Sequence, residues 1–149
     1  MDVEINIKNK RAGFEYSFLE HFIAGIQLLG TEIKSIRLGK ASVSEAFCVI
    51  DKGEVKVRNM QIEEYSKASY YNHSPKRDRK LLLQASEIKK ISGKMKDQGV
   101  SLIPLRLYIN EKGLAKLEIA LAKGKKTHDK REGIRERELK RELDRKFKK

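Results

Sequence analysis

Four basic clusters are the residues with most chemistry to offer. Lys34 and Arg37 stand three residues apart with Lys40 just beyond, and Lys10 and Arg11 are adjacent. Lys76-Arg77-Asp78-Arg79-Lys80 is nearly continuous, and Lys123-Gly124-Lys125-Lys126 surrounds one glycine. Cations at this density suit phosphate oxygens, which Lys meets as a point charge and Arg as a planar fork. Gly124 lets a backbone approach a ligand closely. Covalent chemistry finds no comparable footing. His21, His73 and His128 lie far apart in the sequence and Cys48 is the single cysteine, so neither a zinc ligand set nor a Cys–His pair is spelled out. Glu63 and Glu64 are adjacent, but neighbours on a strand point to opposite faces and do not form a paired-carboxylate site. A lone His21 in a strand reads as structural. No P-loop, dinucleotide fingerprint, H-E-x-x-H, C-x-x-C or G-x-S-x-G occurs. The expectation is a binding protein, not an enzyme, with neither cofactor nor metal.

Composition says what such cations would bind. Among the 149 residues the apolar fraction is 39% and the charged fraction 37%, against averages of about 45–50% and about 25%. A normal domain with a charged appendage accounts for that mismatch. The net charge of +13 exceeds what solubility requires and points to a polyanion, nucleic acid ahead of an anionic membrane. No apolar run approaches a membrane span, and Met1-Asp2-Val3-Glu4 does not open a signal peptide. The lone Cys48 fits a reducing compartment, so the cytoplasm is expected; the chain is also expected to be a monomer.

The elements that position these cations are mostly strands. Phe14–Leu19 alternates aromatic with polar, and His21–Leu28 reads as a second strand or a bent extension, with Gly25 marking a bulge or sharp bend. From Gly30 the period changes: Thr31 reads as an N-cap, Ile33 and Ile36 share a face, and Gly39 stops the helix. Lys34 and Arg37 then share its other face. Phe47–Ile50 and Val55–Met60 form a hairpin about Lys52-Gly53. Residues 63–79 have no period; their tyrosines either pack the loop down or stack on nucleic acid. Leu81-Leu82-Leu83 reads as buried, and Ser86 as the cap of a helix running towards Gly99. Ser101–Ile109, with Pro104 as a bulge, turns at Lys112-Gly113 into Ala115–Leu121, the clearest period-two strand. About six strands, two short helices and no βαβ rhythm predict a mainly β fold, a small antiparallel barrel of the oligonucleotide-binding (OB) type. The divisions are a basic arm at 1–12, read as solvated or ligand-binding, a barrel at 13–122 and a tail at 123–149.

The tail holds thirteen Lys or Arg against six acids, +7 of the +13, and few apolar residues: Ile134, Leu139, Leu143 and Phe147. Pairs such as Glu136/Lys140 and Glu142/Lys146 support an exposed helix by about 0.2–0.5 kcal/mol each, too little to order an isolated segment. The tail is expected to be disordered when free and helical on a polyanion.

Three stretches in combination resemble the SsrA-binding protein (SmpB) family: Gly30-Thr31-Glu32-Ile33-Lys34-Ser35, Pro75 through Leu83, and Ala122-Lys123-Gly124-Lys125-Lys126 with His128-Asp129-Lys130-Arg131. Asn9–Ala12 and Val100–Leu121 extend the likeness over nearly the whole chain. The resemblance implies an OB-type barrel that binds transfer-messenger RNA (tmRNA) by its tRNA-like domain and takes it to stalled ribosomes. There the barrel stands in for an anticodon stem, and the tail enters the empty message channel of the small subunit. On this sequence it implies RNA contacts at Lys10, Arg11, Thr31, Glu32, Lys34, Arg37, Lys40, Arg77, Arg79, Lys80, Lys123, Gly124 and Lys125. It implies a ribosome-engaging tail at His128, Asp129, Lys130, Arg131, Ile134, Arg135 and Arg137. Two departures stand out: His21-Phe22-Ile23 replaces a more acidic stretch, and Gly133 costs the tail helix about 1 kcal/mol relative to Ala. Glu32, an acid in a basic face, either orients a neighbouring Lys or Arg or accepts from a 2′-OH or base edge. The rival reading is another OB-type translation factor or ribosomal protein on the small subunit.

Overall fold

The computed structural model describes residues 4–68 and 71–125. In chain order the elements are β1 (Asn6–Lys8), α1 (Ala12–Glu15), β2 (Tyr16–Ile26), α2 (Gly30–Arg37), β3 (Ala41–Ser42), β4 (Phe47–Asp51) and β5 (Glu54–Arg58). There follow β6 (Gln61–Ile62), β7 (Arg79–Leu82), α3 (Ala85–Lys94), β8 (Val100–Ile109) and β9 (Ala115–Gly124). Pairing runs β8-β4-β5-β7-β2-β9 and closes from β9 back to β8, so six antiparallel strands form a barrel wall without a free edge. β1 adds to β8, and β3 with β6 makes a separate two-stranded ribbon. The expected mainly β antiparallel barrel is what the chain builds. The wall has six strands, the number expected, but not the same six: Phe14–Leu28 supplies only one strand, β2, β7 is not among those expected, and three short strands lie outside the wall.

Turn chemistry closes the hairpins. Lys52 and Gly53 both have positive φ (51° and 78°), as a two-residue hairpin turn demands, and the register Asp51↔Glu54 places them at its tip. Gly113 (φ 79°) turns β8 into β9, where the Asn110 side chain accepts from the N–H groups of Lys112 (3.0 Å) and Leu114 (2.9 Å). Pro104 falls where the β8–β9 register shifts, the expected bulge. The β2 bulge lies between Phe18 and Glu20 rather than at Gly25. Gly25 is paired on both sides, to Leu82 and Lys116, and a Cβ there would meet Leu82 Cβ at 3.2 Å. Close approach between strands, not a bend, uses that glycine.

Alternation fills the barrel. Leu117, Ile119 and Leu121 of β9 pack with Ala24, Val55, Val57, Leu81, Leu102 and Leu107 in the core. Cys48 is in the same core, and burial pushes its thiol well up. Leu81 alone of its triplet is buried; Leu82 is exposed and Leu83 intermediate, because strand period two forbids three successive inward residues. A second small cluster, Ala12 with Ile103 and Ala122, covers the outer side of β8 and β9. That cluster and β1 tie residues 6–12 to the wall, so the described part of the arm is not merely solvated. The wall likewise runs on past Ala122: Lys123 and Gly124 are the last residues of β9, opposite Ser17 and Tyr16.

Both helix caps differ from expectation. Leu29, not Thr31, precedes α2, and its N–H donates to Glu32 Oε1 at 2.8 Å. Gln84, not Ser86, precedes α3, and its N–H donates to Glu87 Oε1 at 3.0 Å. In each case an acid in the first turn reaches back to the cap residue's backbone. α3 ends at Lys94, short of Gly99. α2 stops as expected: Gly39 takes φ 74° and donates to Ile36 O (2.8 Å), while Lys40 donates to Ser35 O (3.0 Å). This is a Schellman closure.

Candidate nucleic-acid interface

α2 is an amphipathic helix with a charged interior. Ile36 and Ser35 on its inner face are fully buried, and so is Glu32. A lone carboxylate there would be costly, and three donors meet it. Glu32 Oε1 accepts from Arg77 Nη2 at 2.6 Å as well as from the Leu29 N–H, while Oε2 accepts from Arg79 Nε. Arg79 is fully buried too, and it spends its remaining fork on Met60 O (2.7 Å) and Pro75 O (3.2 Å). Burial pushes the Glu32 carboxyl up. The bonds from Arg77, the Leu29 amide and Arg79, with the Arg79 charge, outweigh burial and hold it below the ordinary carboxylate range. Burial in turn lowers Arg79, against the opposing pull of Glu32.

This network gives Glu32 its partners within the protein. Both of its oxygens are committed to the protein, so it orients Arg77 and Arg79 and has none to offer a 2′-OH or base edge. Glu32 and Arg79 form an internal brace, each without exposed surface in the structure. Thr31 is half-buried, and its hydroxyl meets His73 Nδ1 at 2.9 Å. Arg77 is about one-third exposed: Nη2 sits in the brace, Nη1 donates to Asp78 O at 3.3 Å, and Nε is buried without a partner among the described residues.

The remaining candidate cations divide by whether an acid holds them. Lys80 pairs with Glu54 at 3.3 Å, and Arg11 lies 3.9 Å from Glu45. Lys10, Lys34, Arg37, Lys40 and Lys123 are exposed and, among the described residues, meet no carboxylate within salt-bridge distance. Lys34 Nζ sits 5.5 Å from the Tyr65 ring centre, a cation–π contact that spreads α2's basic face toward the following loop. Lys125 is anchored by its own chain, with N to Glu15 O and Nζ to Gly13 O, both at 2.9 Å. Gly124 has open space about its missing Cβ and an exposed backbone.

The fold gathers these residues into two areas, not one. α2 begins three residues after β2 ends at Ile26, whereas Gly124 pairs with Tyr16 where β2 starts. Some thirty ångströms of strand, at about 3.3 Å per residue, separate the two ends. Lys10 and Arg11 share a cleft with Lys8, Ser44 and Glu45, just beyond β3, which follows α2. His128, Asp129, Lys130, Arg131, Ile134, Arg135 and Arg137 lie outside the described residues.

Sequence reasoning missed the Asn72–His73 clamp. Asn72 Oδ1 accepts from Tyr65 N (3.1 Å) and its Nδ2 donates to Tyr65 O (2.9 Å), closing the loop on itself. Buried His73 then bridges Thr31 Oγ1 and Ile62 O, each at 2.9 Å, pinning that loop to α2. The carbonyl can only accept, so Nε2 carries the proton. An Asn-His pair two residues before Pro75 was the available signal.

A family model described as "SmpB protein" matches residues 6–149. The chain belongs to the SmpB family. Relatives called SsrA-binding protein include one from Parabacteroides distasonis, 58% identical over 97% of this chain and 94% of its own length. Another, from Bacteroides thetaiotaomicron, is 58% identical over 97% of this chain and 96% of its own. Among solved structures, a chain of "tmRNA-SmpB: a journey to the center of the bacterial ribosome" is similar at TM-score 0.71 and 42% identity, over 88% of this chain and 95% of that one. The SmpB resemblance drawn from three short stretches thus holds along the length. In this SmpB-family chain the barrel described above carries α2 with its internal Glu32 brace.

Proposed function

We propose that this protein is an RNA-binding adaptor that binds tmRNA and brings it to stalled ribosomes for rescue. The barrel grips the tRNA-like domain, and the tail from His128 onward engages the small subunit's empty message channel. The carrying observation is how charge is sorted. The one internal acid of α2 neutralises cations that are inside, while Lys34, Arg37 and Lys40 stay in water without a carboxylate partner among the described residues. Unneutralised cations on a braced helix can release counterions when they meet phosphates, the dominant source of affinity for nucleic acid. Folded RNA offers them backbone rather than base edges, because the A-form major groove is too narrow for side chains. Lys123, Gly124 and Lys125 make the second contact area, and Lys10 offers a further contact from its cleft beside Ser44 and Glu45. No helix among the described residues is long and apolar enough to cross a membrane, and the proposed place of work is the cytoplasm.

Sequencing the RNA that co-purifies with the tagged full-length chain tests this reading. Enrichment of one tRNA-like species is the expected result. Recovery of small-subunit ribosomal RNA without such a species would overturn it and favour another translation factor.

A further inference from the structure

Tyr71 is the most exposed large apolar side chain among the described residues, at 90% relative accessibility. An aromatic of this size normally gives up much of its surface to a neighbour. The surrounding loop is well able to provide one. Asn72 ties its own side chain to both backbone polar groups of Tyr65, and His73 beside it is buried against Thr31 and Ile62 O. Ile62 N donates to Pro75 O at 2.9 Å, so the loop's return is fixed as well. The residues that follow Tyr71 are thus locked, yet the ring meets neither cation nor ring among the described residues. Tyr65, on the same loop, does take a cation, Lys34 of α2. The clamp joins the loop carrying Tyr71 to the helix whose basic face presents Lys34, Arg37 and Lys40.

We propose that Tyr71 is a nucleobase-stacking residue of the RNA interface, held in water by the Asn72–His73 clamp until an unpaired base covers it. This rests on the RNA-binding reading above and adds its recognition chemistry: a flat face for one unstacked base beside a phosphate-binding helix. Holding Asn72 and His73 beside the ring suits the task, since that much of the platform needs no ordering on binding. Every base has a π-face, and folded RNA displays unstacked bases in loops and at ends.

The test measures affinity for the tRNA-like domain of tmRNA as a function of salt, using full-length variants. Tyr71→Ala should weaken binding about thirtyfold, the middle of the range for removing one base–aromatic stack, with the slope of log affinity against log salt unchanged. Tyr71→Phe keeps the ring and should bind within twofold of the parent. Unchanged affinity in Tyr71→Ala, a flattened slope there, or equal loss in Tyr71→Phe would overturn stacking. Lys34→Ala/Arg37→Ala separates the two levels. If that double variant weakens binding and Tyr71→Ala does not, stacking fails while the RNA-binding reading stands. If neither weakens binding, stacking fails together with the α2 basic face as the RNA contact; if the parent itself does not bind the tRNA-like domain, the RNA-binding reading fails and takes stacking with it.

Discussion

Glu32 shows how one residue can serve a surface it never reaches. Its carboxylate binds two guanidiniums and one backbone amide, from positions 77, 79 and 29. Removing it would leave Arg79 charged and fully buried with no counter-ion. Breaking a buried pair from one side costs about 3–5 kcal/mol, so Glu32→Ala should destabilise the fold by that much in urea titrations, or fail to fold. Lower RNA affinity should accompany it, as the α2–loop arrangement comes apart. Unchanged stability and affinity together would show that the brace does nothing. The acid limb of the stability curve carries the same signature. Glu32 titrates lower folded than unfolded, so its contribution is complete above the unfolded value of about 4.3 and disappears as pH falls through the folded value. The stability advantage of the parent over Glu32→Gln should therefore shrink on acidification below about pH 4.3, as measured by denaturant titrations at several pH values.

At the scale of elements, α2 depends on how it stops. Gly39 at φ 74° closes the helix and delivers Lys40 beside Lys34 and Arg37. Open space surrounds the missing Cβ, so the cost of Gly39→Ala is purely conformational, about 1–2 kcal/mol for a left-handed non-glycine residue. Gly39→Asn should recover part of that, and equilibrium unfolding would compare the three. The basic face itself should be read in salt. Lys34→Ala/Arg37→Ala should reduce the salt slope of RNA binding by about 1 for each phosphate no longer neutralised, with the unfolding midpoint unchanged, because both side chains are exposed.

At the scale of the whole molecule, two basic areas on one barrel, the proposed RNA contacts, are combined with a charged tail whose structure lies outside the described residues. A closed wall fixes the distance between α2 and the Lys123–Lys125 end, so a ligand must be large enough to span both. A folded RNA domain is. Division of labour follows from the position of the tail beyond the last strand, which ends at Gly124. Deleting residues from His128 onward should leave tmRNA affinity near that of the parent and abolish rescue in a stalled-translation assay. Failure of that truncation to bind RNA would refute the division.

The sequence by itself determined what adjacent residues can decide. Lys52-Gly53 and Gly113 specify turns through their own φ values, Gly39 stops its helix, Pro104 interrupts a ladder because it lacks an N–H, and β9 declares itself by alternation. Charge excess is additive along a chain, so the preference for a polyanion was legible without any fold. Tertiary structure alone decided which charges remain in water. Arg77 and Arg79 stand 45 and 47 residues from Glu32 in sequence, and nothing local distinguishes buried Arg79 from half-exposed Arg77. The caps of α2 and α3 went to Glu32 and Glu87 because a longer acid can reach back to the preceding backbone amide, leaving Thr31 to bond His73. The strand bulge likewise fell at Leu19 rather than Gly25, since only barrel closure shows that Gly25 lies between two paired neighbours with Leu82 pressed against it. Burial, pairing and long-range contact are properties of the closed barrel, and they assign each cation to the brace or to the surface.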